Sequence, residues 1–303
     1  MIKAQQLTKK YGTTVALGNV SFQVDEGELF GFIGPDGAGK STLFRLLTSL
    51  LLPSSGKVEL FGLDTVKDYK KIREITGYMP GRFSLYPDLS VEENLDFFAT
   101  VFGTSIQENY HIIHDVYSHI EPFKTRLAGK LSGGMKQKLA LSCALIHNPR
   151  VLVLDEPTTG VDAVSRKEFW ELLRSLKSKG ITIIVSTPYM DEAGLCDRVA
   201  LIHHGRLLTV DKPGAITSSY EKQILGIVAD NTYKLLDSLR KYPDVLHAYA
   251  FGQQVHYTGR KASADLNNMR AYLGQCGHKD VQIMQIKAGI EDVFIDLVQD
   301  RQG

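Results

Sequence analysis

No hydrophobic run in this chain is long. Its most apolar stretches, "SLLLP" around Leu50 and "LALSCALI" ending at Ile146, fall well short of the roughly 20 residues that cross a bilayer as a helix, so the chain is not expected to span a membrane by itself. Cysteine is scarce. Cys143, Cys196 and Cys276 are widely spaced, which suits neither a disulfide framework nor a paired-thiol metal site, and they read as reduced, mostly buried thiols. Neither sign of charge is in excess: 35 Lys and Arg face 34 Asp and Glu. No strong surface field follows, and a nucleic-acid partner is not expected. The opening "MIKAQQLTKKYG" lacks the apolar core and small-residue cleavage site of a signal peptide, which points to a cytoplasmic chain. His111, His114 and His119 fall in one helical stretch. His111 and His119 are more than two turns apart, and no Cys or carboxylate cluster completes a ligand set, so they read as a solvated helix face.

What is present is a chain of 303 residues, 43% apolar and 23% charged, the composition of a globular protein with about two domains. Its first two-thirds alternates apolar runs with helical stretches. "LFGFI" (29–33) leads into "GPDGAGKS" and a helix from Thr42 to Leu51; "VLVLD" (151–155) precedes a helix through Trp170; "ITIIVS" (181–186) follows, ahead of Pro188 and an acidic helix. Such alternation predicts a largely parallel sheet covered on both faces. Trp170 shares a stripe with Leu173 and Leu176 and reads as core. Capping-box spacing at Ser90 with Glu93 and at Ser105 with Glu108 marks the starts of helices in an insert spanning about 88–145. After Tyr220 the pattern restarts: strand 223–229, helix 232–241, strands 245–251 and 254–258, helix 263–274, strand 281–286 and a last helix from Ile290. Apart from that last helix, this is the β-α-β-β-α-β order of a ferredoxin-like domain. The expected division is 1–219 and 220–303.

Three motifs carry chemistry. "GPDGAGKS", Gly34 to Ser41, follows a strand and opens a helix. Gly34, Gly37 and Gly39 let backbone N–H groups turn toward a phosphate, the helix N-terminus adds partial positive charge, Lys40 neutralises the outer phosphates and Ser41 can ligate Mg²⁺. "VLVLDEP" is a buried strand that presents Asp155 and Glu156 at its carboxyl end, one suited to hold Mg²⁺ through water and the other to polarise an attacking water. "KLSGGMKQKLALSCALI" sets Ser132-Gly133-Gly134 before an apolar helix, a second anion site of hydroxyl and N–H groups. One nucleotide does not need two such sites from one chain, whereas a dimer in which each chain covers the other's phosphate loop uses both.

Phosphate loop, "LSGGM", "VLVLDEP", "TTGVDA" and "STPYMDEA", in this order over residues 1–220, resemble the nucleotide-binding domain of an ABC transporter. The resemblance implies a P-loop NTPase of ABC type, α/β, with a mostly parallel core sheet, an antiparallel N-terminal β subdomain and the helical insert, followed by the small α/β C-terminal domain. It also implies ATP and Mg²⁺, sandwiched between two such domains arranged head to tail. Carried over, Tyr11 stacks on adenine, Lys40, Ser41 and Thr42 hold phosphate and metal, and Asp155 holds metal. Glu156 is the general base, Ser132, Gly133 and Gly134 contact the opposite chain's nucleotide, and Asp162 links the two sites. The tail "GIEDVFIDLV" is similar to that of drug- and polysaccharide-exporter ATPases. The implied partners are a second ABC ATPase chain, identical or different, and integral membrane permease subunits that hold the chain at the inner face of the cell membrane.

The chain departs from the family in two places near one phosphate. Pro188 stands where a histidine usually reaches the γ-phosphate and the attacking water, and Gly81 stands where a glutamine usually touches Mg²⁺ and that water. Proline supplies no donor and no titratable group, and glycine supplies backbone alone. Asp36 in place of the usual Asn is a milder change. The expectation is an exporter ATPase that binds MgATP and turns over slowly in its own site; the alternative is a regulatory or non-transport nucleotide-binding protein with little turnover.

Overall fold

The structure, a computed structural model, describes residues 1–82, 84–261 and 264–300. Alternation in the first residues builds two long strands, β1 (Ile2–Tyr11) and β2 (Thr14–Val24), paired antiparallel. The continuous apolar run β3 (Leu29–Ile33) is buried throughout and feeds the phosphate loop and helix α1 (Lys40–Leu47). Next come β4 (Ser55–Leu60), β5 (Leu63–Asp64), α2 (Tyr69–Glu74) and β6 (Thr76–Met79). The insert follows as α3 (Val91–Val101), α4 (Ile106–Tyr117) and α5 (Gly133–Leu145). Then β7 (Val151–Asp155), α6 (Ala163–Ser178), β8 (Thr182–Thr187), β9 (Arg198–His203) and β10 (Arg206–Asp211) complete this part, and α7 (Pro213–Ser218) follows.

Two sheets share its core. An antiparallel sheet has the order β2-β1-β4-β5, and a six-stranded sheet has the order β10-β9-β3-β8-β7-β6, parallel except for the β9–β10 pair. Aromatic rings from Phe22, Phe30, Phe32 and Phe44 lie against one another between them, with Phe22 and Phe32 edge-to-face at 4.9 Å. Trp170, Leu173 and Leu176 are buried along α6, as their stripe predicts. The capping box at Ser90 and Glu93 is complete in both directions; at Ser105 the hydroxyl accepts from the Glu108 N–H, while the Glu108 carboxylate takes the Thr104 hydroxyl instead. Helix α1 begins two residues before the expected Thr42 and stops at Leu47. Ser49 takes φ +56°, and the N–H groups of Leu50 and Leu51 fold back onto the Arg45 carbonyl. No described helix is long and apolar enough to cross a membrane.

The chain divides into two compact units, Met1–Pro213 with the residues from Leu297 onward, and Gly214–Asp296. The second contains β11 (Ile224–Val228), α8 (Thr232–Arg240), β12 (Val245–Phe251), β13 (Gln254–Gly259), α9 (Leu266–Gln275), β14 (Gln282–Ile286) and most of α10 (Ile290–Asp300). The expected start of the fifth element at residue 263 lies outside the described residues. Sheet order β12-β13-β11-β14, antiparallel throughout, is that of a ferredoxin-like split βαβ. A separate core around Leu225, Ile227, Leu239, Val255 and Tyr257 holds it together.

Beyond the end of α5, His147 lies flat on Phe102, with centroids 3.8 Å apart, and its Nε2 donates to the Thr76 carbonyl at 3.2 Å. Burial pushes its pKa down to about 4 from 6.5, against the smaller pull of that carbonyl. The folded state therefore resists a proton that the unfolded chain accepts near pH 6.5, and stability falls as pH drops from 6.5 to 4. Urea unfolding across that window should give a steeper loss for the parent than for His147→Gln, which keeps a donor but cannot titrate. Parallel curves would contradict the assignment.

Candidate functional site

Parallel pairing lines up four strand ends. Reading across from β6 through β7 and β8 to β3, the residues at or within two positions of the carboxyl ends include Gly81, Asp155 with Glu156, Pro188 and Gly34. Ligands bind at such an edge because strand ends and helix starts direct their unpaired groups there. The loop is stitched to it: Gly34 N–H donates to the Thr187 carbonyl at 3.2 Å, and Glu156 N–H donates to the Ser186 carbonyl at 3.1 Å.

Gly34, Gly37 and Gly39 shape the loop. Gly39 takes φ +103°, and a Cβ there would meet the Ala16 carbonyl oxygen at 2.7 Å, so the turn into α1 is closed to other residues. No side chain caps α1 and its first turn holds no acid, so its leading N–H groups remain free to face an anion. By contrast, α3, α4, α6, α8 and α9 are each capped by a Ser, Asp or Asn side chain. Lys40 is 3% exposed; its ammonium donates to the carbonyls of Gly34 (2.7 Å) and Pro35 (3.0 Å) and pairs with Glu156 Oε1 at 3.1 Å. Ser41 is exposed and Thr42 half-buried at the mouth.

Asp155 is 3% exposed, and its Oδ1 accepts the Ser186 hydroxyl at 2.6 Å; that hydroxyl in turn accepts the Glu156 N–H at 2.9 Å. Glu156 holds φ +50°, a left-handed conformation that costs about 1–3 kcal/mol for a residue other than glycine and persists only where its surroundings impose it. Nothing in "LDEP" signals this strain. Gly81 lies directly beside this pair: a Cβ on it would stand 3.2 Å from the Asp155 carbonyl oxygen and 3.7 Å from its carboxylate. Pro188 follows the last residue of β8, half-buried.

A cleft of about 360 Å³ opens over the loop, lined by Thr14, Val15, Ala16, Gly37 to Thr42, Glu156, His204 and Gly205. Motif reading missed Val15, Ala16, His204 and Gly205, which come from distant segments with no signature; Gly205 N–H donates to the Ala38 carbonyl and Gly18 N–H to the Gly205 carbonyl. Tyr11 is 46% exposed beneath the Lys9 ammonium and is not part of that lining. Nor are Ser132, Gly133 and Gly134. They open α5, where the Ser132 oxygen accepts the Met135 N–H at 3.3 Å and leaves its own proton free to donate. A Cβ on Gly134 would meet Ser165 Oγ at 2.6 Å, so the start of α5 presses on the start of α6. Asp162 caps α6 by accepting from Val164 and Ser165, bonds that hold its carboxyl below the usual range.

Known proteins sort this geometry. The family described as ABC transporter matches residues 17–159. "Nod factor export ATP-binding protein I" of Rhizobium sp. (strain N33) is 34% identical over 296 residues, covering 95% of this chain and 94% of its own. "Probable multidrug ABC transporter ATP-binding protein YbhF" of Escherichia coli (strain K12) is 42% identical over 216 residues, 70% of this chain; the chain spans 37% of that relative's length. Among solved structures, the cassette MJ0796, a dimer bound to ADP and Pi, has TM-score 0.63 and 28% identity over 70% of this chain and 98% of its own. CbiO1 from Clostridium perfringens, part of the transporter complex cbiONQ, has TM-score 0.65 and 29% identity over 72% and 90%.

The Ser186 hydroxyl serves both carboxylate-bearing residues, so Ser186→Ala should lower unfolding free energy by about 1–3 kcal/mol, the cost of leaving a buried acceptor short of a donor. Denaturant unfolding measures it. A loss below about 0.5 kcal/mol would mean that the bond is dispensable.

Proposed function

The chain belongs to the ABC transporter ATP-binding proteins, and we propose that it couples binding and hydrolysis of MgATP to export through separate membrane subunits, turning ATP over slowly in its own site. The observation that supports this most is the Lys40–Glu156 pair within a glycine-built anion cradle. An arriving γ-phosphate competes for the Lys40 ammonium and releases the Glu156 carboxylate to accept a proton from the attacking water. The uncapped amides of α1, with Ser41 and Thr42, take the remaining phosphate oxygens. The hydroxyl of Ser41 and the Asp155 carboxylate are hard oxygen donors and fit Mg²⁺; when bound, the ion neutralises phosphate charge. Tyr11 offers its exposed ring to adenine.

Ser132, Gly133 and Gly134 serve the nucleotide of a second ABC chain, which accounts for their free hydroxyl proton and their absence from this chain's own cleft. Asp162 connects the two sites. The membrane subunits dock on the insert side. There a cavity of about 220 Å³, lined by Tyr78, Met79, Leu85, Phe98 and Phe102, opens beside exposed Leu50, Tyr86, Phe97 and Val101, an apolar surface of the kind that marks protein contacts. Export is the direction carried by the name of the Nod factor export relatives. Attachment to the inner face of the membrane follows from these partners. Pro188 and Gly81 remove two side chains from the phosphate side, where a positioned hydrogen bond is worth about two to three orders of magnitude in rate.

Steady-state ATP hydrolysis by the chain, Glu156→Gln and Pro188→His with Gly81→Gln tests this, with nucleotide binding measured in each. Binding should persist in all three and turnover should vanish in Glu156→Gln. The double variant should gain about tenfold or more. A gain below about threefold would clear Pro188 and Gly81 as the cause of slow turnover.

A further inference from the structure

The segment after Pro188, "YMDEA", forms a short 3₁₀ turn, Met190–Leu195, in which Glu192 is 1% exposed. A buried carboxylate is costly unless it is paired and hydrogen-bonded, and a residue with only packing to do there would be apolar. Glu192 is fully engaged. Its two oxygens accept the Thr158 hydroxyl at 2.9 and 3.2 Å, and Arg166 Nε lies 3.3 Å from Oε1. Thr158 is itself buried, two residues beyond Glu156. Arg166, one turn into α6, also donates to Asp191 at 2.8 Å and stacks its guanidinium over the Tyr189 ring at 4.5 Å. Its backbone N–H returns to the Asp162 carbonyl.

Two segments leave adjacent strand ends here, 156–162 from β7 and 188–192 from β8. They are tied near the strands by Ser186, through Asp155 and Glu156. They are tied again at the far end by Glu192, through Thr158 and Arg166. Glu156 sits between the ties in its left-handed conformation, a geometry that only redundant restraint maintains. With proline at 188 no side chain from that position can orient the reacting groups, so the carboxylate's place depends on how its loop is held.

We propose that Glu192 is a positioning residue for Glu156, acting through the Thr158 hydroxyl, with Arg166 locking Glu192 in register. This rests on the ATPase reading of the Glu156 site. It adds that the loop carrying Glu156 and Asp162 is held by a buried carboxylate on the segment following Pro188, a residue outside the lining of the cleft.

Thr158→Val keeps the side chain's shape and removes its donor; Thr158→Ser restores the donor. In Thr158→Val, kcat should fall about tenfold to a hundredfold, the scale of a misplaced catalytic group, while KM and nucleotide affinity stay within about twofold. Backbone amides 158–162 should exchange with deuterium faster, and those of β7 and β8 should not. Thr158→Ser should recover both readouts. Unchanged exchange and kcat in Thr158→Val, or equal losses in Val and Ser variants, would overturn the proposal. If Thr158→Val fails to fold, Glu192→Gln, which drops the ion pair with Arg166, should shift the same two readouts, and no shift there overturns it as well. A parent chain that binds ATP without turnover would defeat the ATPase reading alone, because the exchange measurement needs no hydrolysis and still decides the role of Glu192.

Discussion

The seating of β8 between β3 and β7 is the constraint on which the site depends. Its register places Ser186 opposite Asp155 and Thr187 opposite Ile33. From those two positions it supplies a carbonyl to the phosphate loop and both a carbonyl and a hydroxyl to the two acids. Every residue of β8 is buried, so a slip of one position would put Val185 or Thr187 opposite Asp155 and turn the Ser186 hydroxyl to the other face. Strand order thus does chemical work: it makes neighbours of residues 34, 81, 155 and 188, which are scattered over more than half the sequence.

Much of this was legible because the strongest local signals agreed with one another. Uninterrupted apolar runs gave β3, β7 and β8, and the glycine spacing before Lys40 gave the turn into α1. In the second unit, the expected elements match the observed ones within a few residues, since short alternating strands there are separated by capped helices. What escaped the sequence is tertiary. His204 and Gly205 reach the cleft by way of the β9–β10 turn, and Val15 and Ala16 by way of β2, with no local mark of either. The stretch after Pro188 reads as the start of an acidic helix, whereas it forms a 3₁₀ turn whose Glu192 faces inward to Thr158 and Arg166. The left-handed Glu156 has no local signal, since a motif records residue types and not dihedral angles.

In the second unit, buried polar pairs play a similar part on a different scaffold. Asp292 and Asp296, one turn apart on α10, meet His256 at 2.8 Å and His247 at 3.2 Å on neighbouring strands β13 and β12. Asp292 also caps its own helix through the Gly289 N–H, and Phe251 stacks on His256 at 3.9 Å. These contacts fix α10 in rotation and register, which apolar packing alone fixes less sharply. The 34% identity to the Nod factor export relative runs over 95% of the chain and so includes this unit, whereas the YbhF match covers 70%. The second unit is therefore part of what the chain shares with one group of relatives.

The resting pair of Lys40 and Glu156 bears on the missing side chain at 188. Its carboxylate is engaged by a buried ammonium, and in the proposed reaction it is released when a phosphate draws Lys40 away. Under the proposed role of Glu156, activation of water is conditional on a bound triphosphate without any group at 188 sensing the γ-phosphate. The left-handed backbone at Glu156 is secured from both sides, by Ser186 of β8 and, through Thr158, by Glu192 of the turn after it. On this view, Pro188 removes an orienting contact while the order of events survives. The expected result is a slow site whose hydrolysis still waits for ATP.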